Sequence, residues 1–161
     1  MSAFGYVGST VIPAAYGLLP ANMNSPEATA MLLAIGLQES RFLHRKQIGG
    51  PAMGFWQFES GGGWRGVICH ASTTVHAQHV LKTLGYDGDP GYEALERDDI
   101  LACAFARLLL YTLPGRLPGR FEEEEGLRQY LEAWRPGKPH PETWNSFYEQ
   151  AWNAQKVTGG A

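Results

Sequence analysis

Few residues in the first half of this chain can carry a proton, and one of them, Glu39, has apolar surroundings. Residues 1 to 82 hold five Lys or Arg and three acids, Glu27, Glu39 and Glu59; the remainder holds eight cations and thirteen acids. Read as a helix, the stretch from 32 to 43 puts Leu32, Ile35, Gly36, Phe42 and Leu43 on the face of Glu39, because positions three, four and seven apart are neighbours. A carboxyl held against hydrocarbon loses hydration mainly in its charged form, so its pKa rises and it keeps a proton near neutral pH. Such a group can protonate the leaving oxygen as a glycosidic bond breaks. The competing reading is a helix-end carboxylate that points to water or pairs with Arg41 or Arg45.

The segment Leu37-Gln38-Glu39-Ser40-Arg41-Phe42 is followed, after a Gly/Pro-rich loop, by Gly54-Phe55-Trp56-Gln57-Phe58-Glu59. Together these resemble the lysozyme-like superfamily, specifically soluble lytic transglycosylases and goose-type lysozymes. There a Glu-Ser pair near the end of a buried helix supplies the acid, and a downstream Gly-Leu-Met-Gln motif lines the sugar cleft. Glu39 and Ser40 match the first motif, and Gly54 and Gln57 match the ends of the second, with Phe55 and Trp56 in place of Leu and Met. The resemblance covers residues 32 to 60. A third family motif, Ala-Ala-Tyr-Asn, is replaced by Ala104-Phe105-Ala106-Arg107. The substrate-positioning tyrosine is therefore open: Tyr111 is the nearest phenol on the same expected helix, and Tyr130 and Tyr148 are the other candidates.

The resemblance implies cleavage of the β-1,4 bond between N-acetylmuramic acid and N-acetylglucosamine in peptidoglycan. Glu39 is the expected general acid, Ser40 and Gln57 orienting groups, and Phe55, Trp56 and Tyr111 cleft residues. Glu59 falls where goose-type lysozymes place an aspartate that holds water, so it is a candidate base; the alternative is a loop acid paired with Arg65. Trp56 and Trp64 flank Gly61-Gly62-Gly63 and offer indole faces for sugar rings, or else Trp56 is core. Gln57 needs hydrogen-bond partners inside an apolar segment, and sugar hydroxyls supply them.

The elements that must position these groups are helical. Ser25-Pro26-Glu27 reads as an N-cap, a first-turn proline and a dipole-compatible acid, opening a helix to about Leu43. Further helices are expected over 73–84, 98–112, 122–134 and 141–156, the last from the stripe Trp144, Phe147, Tyr148, Ala151, Trp152. Gly and Pro break periodicity over 45–66, giving an active-site loop or small β element. Glu122 to Glu125 suit a helix start and carry no chemistry. The fold expectation is mainly α, a single lysozyme-like helical domain over residues 1–161.

Composition narrows the partners. The 161 residues carry a net charge of −3, which disfavours a nucleic-acid footprint. No run of 18 apolar residues occurs, and residues 1–20 hold no Lys or Arg, so neither membrane insertion nor a secretory signal is expected. Cys69 and Cys103 are too few for a disulfide scaffold. Cys69, His70, His76 and His79 lack the spacing of a zinc motif, and no phosphate loop occurs, so no metal or cofactor is expected. Trp134-Arg135-Pro136-Gly137-Lys138-Pro139-His140-Pro141 reads as a rigid connector, with Arg135 and Lys138 free to meet anionic wall or a protein. The size and style are also similar to lysozyme-like proteins of tailed bacteriophages. That implies residence in host cytoplasm or a virion, with delivery through a holin-type membrane pore or the virion itself. Two other functions fit the same residues: a non-catalytic virion structural or assembly protein with this fold, and a chitinase- or chitosanase-like hydrolase.

Overall fold

The structure is a computed structural model that describes residues 1–158. Its chain begins with α1 (Ala3–Tyr6), a wider turn over Val7–Val11, and α2 (Ile12–Tyr16). In the wide turn the amide of Ile12 donates to the carbonyl of Val7, five residues back. Pro13 lacks an N–H and crowds the carbonyl four residues before it, so loosening the helix there relieves the clash.

The central element is α3 (Pro26–Ser40). Ser25 caps it by accepting from the amide of Ala28 at 3.0 Å, with Pro26 in the first turn. Ala28 and the run from Ala30 to Leu37 are buried, so the middle of the helix is enclosed on all sides and its polar residues are confined to the two ends. It stops three residues before the expected Leu43. Arg41 and Phe42 both take left-handed backbone (φ 55° each), which turns the chain back over the helix. The ring of Phe42 then lies on Gly36, where a Cβ would come within 2.0 Å of it. Leu43 is left exposed, outside the face expected for it.

Residues 45–58 fold into a compact loop held by two isolated antiparallel bridges, Lys46 with Met53 and Met53 with Phe58, the small β element expected here. Gly54 (φ 79°) brings the loop against the carbonyl of Leu95 and Ala102, where a Cβ would lie 3.1 and 3.4 Å from its neighbours. After a kinked turn over Ser60–Trp64 come α4 (Arg65–Cys69), α5 (Thr74–Thr83), α6 (Asp99–Tyr111), α7 (Glu123–Trp134) and α8 (Trp144–Thr158). Asp98 caps α6 by accepting from the amide of Leu101. The protein is mainly helical, with no sheet or barrel among the described residues.

α8 runs along α3, α2 and α5 pack on α6, and α7 spans α6 and α8. The aromatic stripe of α8 is buried at Trp144, Tyr148, Ala151 and Trp152, with Phe147 half-buried. At Gly126 α7 comes so close to its neighbours that a Cβ would sit 2.9 Å from Tyr148, 3.3 Å from Trp144 and 3.4 Å from Met31. That approach brings the later turns of α7 to the C-terminal end of α3.

Candidate active site

Glu39 lies in the last turn of α3, half-buried, where the enclosed helix first meets solvent. The phenol of Tyr130, one turn past Gly126 on α7, donates to its Oε2 at 2.5 Å. Tyr130 is itself buried, stacked face to face on Trp144 (centroids 5.3 Å apart, planes 8° apart) and flanked by Trp134. The indole of Trp144 is fixed in turn by donation to the carbonyl of Glu123. Burial pushes the Glu39 carboxyl up to about 7; the phenol's hydrogen bond pulls against that rise, and the negative charge of Glu59 adds to it. The same burial, with the carboxylate beside it, holds the Tyr130 phenol far above its ordinary range, so it remains a donor. With Oε2 occupied as acceptor, Oε1 is the oxygen left to carry a transferable proton.

Gln38 anchors the neighbouring wall. Its Nε2 donates to the carbonyl of His140 at 2.8 Å and its Oε1 accepts from Thr143, tying the end of α3 to the connector before α8. The competing reading of Glu39, an ion pair with Arg41 or Arg45, is not what forms among the described residues: Arg45 makes a two-pronged contact with Asp99, and Arg41 lies over the ring of Phe147.

The 54–59 loop is clamped to the end of α3 by groups expected to touch substrate. Ser40 is buried; its hydroxyl lies 2.6 Å from the carbonyl of Phe55 and accepts from the amide of Phe42. It orients the backbone and is not free to meet sugar. Phe55 and Trp56 are also corrected from cleft wall to core, at 2% and 1% exposure. Phe55, Phe42 and Trp56 pack edge to face, and the indole of Trp56 donates to the carbonyl of Leu32. Large rings beside a glycine-rich loop are drawn inward because they supply the apolar area that holds the loop down. Trp64 is buried as well, stacked on Phe105 at 4.7 Å.

Gln57 is half-buried in left-handed backbone (φ 54°), and its amide and its Nε2 both donate to the carbonyl of Gly54. Its Nε2 is thus partnered within the loop, and Oε1 has no protein donor among the described residues. Glu59 is exposed, and no ion pair joins it to Arg65 among the described residues. Its charge reaches Glu39 across the loop.

Tyr111 is placed elsewhere. It lies at the end of α6 near His76 and lines a cavity of about 760 Å³ that does not include Glu39. Tyr130 supplies the phenol at the acid, as one of the three candidate tyrosines. Trp134, read as a helix end and the start of a connector, is the aromatic whose place at the site sequence reasoning missed: half-exposed, edge to face with Phe58, its indole donating to the carbonyl of Trp56 at 2.8 Å. The spacing of Leu127, Tyr130, Leu131 and Trp134 as one helical stripe carried that signal.

Family models, curated proteins and solved structures contain no match to this chain. The other sequence candidates do not join the site. Among the described residues no group of three or more His, Cys, Asp or Glu could hold a metal ion. Burial pushes the Cys103 thiol well up, which makes it a poor nucleophile.

Proposed function

We propose that the protein is a glycosidase or lytic transglycosylase that cleaves the β-1,4 bond between N-acetylmuramic acid and N-acetylglucosamine in peptidoglycan, with Glu39 as general acid. The observation that carries this reading is the Glu39–Tyr130 pair: a carboxyl held near half-protonation at neutral pH, oriented by a locked phenol and open to solvent on one side. Oε1 donates its proton to the glycosidic oxygen as positive charge develops on the sugar ring, and the resulting carboxylate is stabilised by the Tyr130 hydrogen bond. The same carboxylate then accepts a proton from the attacking hydroxyl. That hydroxyl is either the sugar's own, giving an anhydro end, or water, giving a reducing end. Trp134 and the free Oε1 of Gln57 are the groups offered to the glycan beside the acid.

Glu59 is exposed and unclamped, which favours a single-carboxylate route over one that needs a fixed base. Mass analysis of muropeptides released from purified peptidoglycan tests both points. Glu39→Gln should keep the fold by circular dichroism and lower the release rate about 10²- to 10⁴-fold. A folded variant with full release would refute the assignment. Anhydro ends in the wild-type digest would support intramolecular attack.

A further inference from the structure

A cavity of about 760 Å³ lies between the start of α3 and the end of α6, and Arg107 lines it. Glu27 on its rim precedes Glu39 by twelve residues of one helix, which places this cavity about 18 Å along α3 from the candidate acid. Arg107 is only 6% exposed, and no carboxylate pairs with it among the described residues. Its Nε donates to the carbonyl of Met23 at 2.9 Å. Its two Nη atoms have no protein acceptor among the described residues. They are not sealed from solvent either, since Trp152 Nε1 is the one fully enclosed side-chain nitrogen or oxygen without a partner among the described residues. The guanidinium fork therefore opens on the cavity. Burial lowers its pKa, and the groups that act against that shift are the phenols of Tyr16 and Tyr111. A buried cation without a counter-ion is costly to the fold unless an anion completes it.

The rest of the lining adds detail. The backbone N–H of Ser72 donates to Nδ1 of His70, so the ring proton lies on Nε2, a further donor at the cavity wall. Leu110, Leu113 and Leu117 supply an aliphatic side, and Glu27 a carboxylate. Arg116 also lines the cavity but is held two-pronged by Glu122, so Glu27 is the carboxylate left in the lining to oppose a phosphate dianion and attract an amine. We propose that this cavity is a second ligand site, taking an amino acid or short peptide whose carboxylate is bound by Arg107 and whose free amine faces Glu27. The site stands independently of cleavage at Glu39.

Two-dimensional amide NMR of the full chain, titrated with the dipeptide alanylalanine, tests it. Saturable shifts are expected at Asn22, Ser72 and Leu113, and not at Glu39. Amidating the dipeptide's C-terminus, or Arg107→Lys, which keeps the charge and loses the fork, should weaken binding about tenfold or more. If Arg107→Lys does not fold, Glu27→Gln serves in its place: the dipeptide and its N-acetyl derivative should then bind equally, where the wild type prefers the free amine. No saturable shift up to about 50 mM dipeptide would overturn the proposal. Equal binding of the amidated dipeptide, or tighter binding of inorganic phosphate, would overturn it too.

Discussion

Glu39 and Tyr130 oppose each other in a way that fixes the sign of two measurements. The Glu39 carboxyl is raised from 4.5 to about 7, so the folded protein holds this proton more tightly than the unfolded chain does. The stability it contributes is complete below about pH 4.5 and is lost as pH rises through about 7. Glu39→Gln, which cannot ionise, should gain relative to wild type between pH 5 and 8 in denaturant melts, by at most about 3 kcal/mol and less as solvent screens the half-exposed group. The proposed reaction requires the protonated acid, so its rate should fall along the same alkaline limb. Tyr130→Phe deletes the bond that lowers the Glu39 pKa. Its pH–rate midpoint should therefore move upward by about one unit, whereas a purely structural phenol would leave the midpoint in place. The sheltered carboxyl at Glu39 was legible in the sequence because it is a lone acid amid hydrocarbon. Its phenol was legible only as one of three, since Tyr111, Tyr130 and Tyr148 differ in which neighbour they reach and not in their local pattern.

At the scale of elements, the sharp end of α3 matters most. Two successive left-handed residues follow Ser40, neither of them glycine, and they are kept by the Phe42 ring seated on Gly36 and by the Ser40 hydroxyl bound to both flanking segments. Gly36→Ala should destabilise the protein by about 1–3 kcal/mol, because the added methyl displaces that ring. Arg41→Gly should raise the melting midpoint, relieving a left-handed cost of about 1–2 kcal/mol, partly offset by the looser unfolded chain. Thermal unfolding of the two variants against wild type checks both directions. The start of α3 was readable from Ser25 because a capping side chain declares it, whereas Asp98, expected as the first residue of its helix, proves to be the cap. The end of α3 was not readable, since a reversal at Arg41 and Phe42 is stabilised by rings at Phe55 and Trp56 that lie well along the chain. The same contacts explain why Ser40, Phe55 and Trp56 act as scaffold: a loop with this many glycines needs buried rings and a hydroxyl clasp to hold one shape. The α1–α2 segment was invisible for the opposite reason, as Gly5, Gly8, Ser9 and Pro13 all argue against helix and only packing against α6 overrides them.

For the molecule as a whole, the net charge of −3 bears on the proposed substrate, an anionic wall polymer. Repulsion between the two should slow encounter at low ionic strength. Lysis of intact walls is expected to rise a few-fold as salt goes from about 0.01 to 0.15 M and the screening length shrinks from about 30 to 8 Å. Cleavage of an uncharged amino-sugar oligomer should stay flat over the same range, so turbidity and oligomer assays run together separate the wall from a chitin-like substrate. The pairing of Glu39 with Tyr130 also bridges 91 positions of the chain. A polypeptide emerging from the ribosome thus presents its carboxyl long before the phenol is translated, as an ordinary hydrated anion at neutral pH. The environment that raises the carboxyl's affinity for its proton is complete only when α7 folds home, so under the proposed function a truncated product ending short of that helix should be inert even if its central helix has formed.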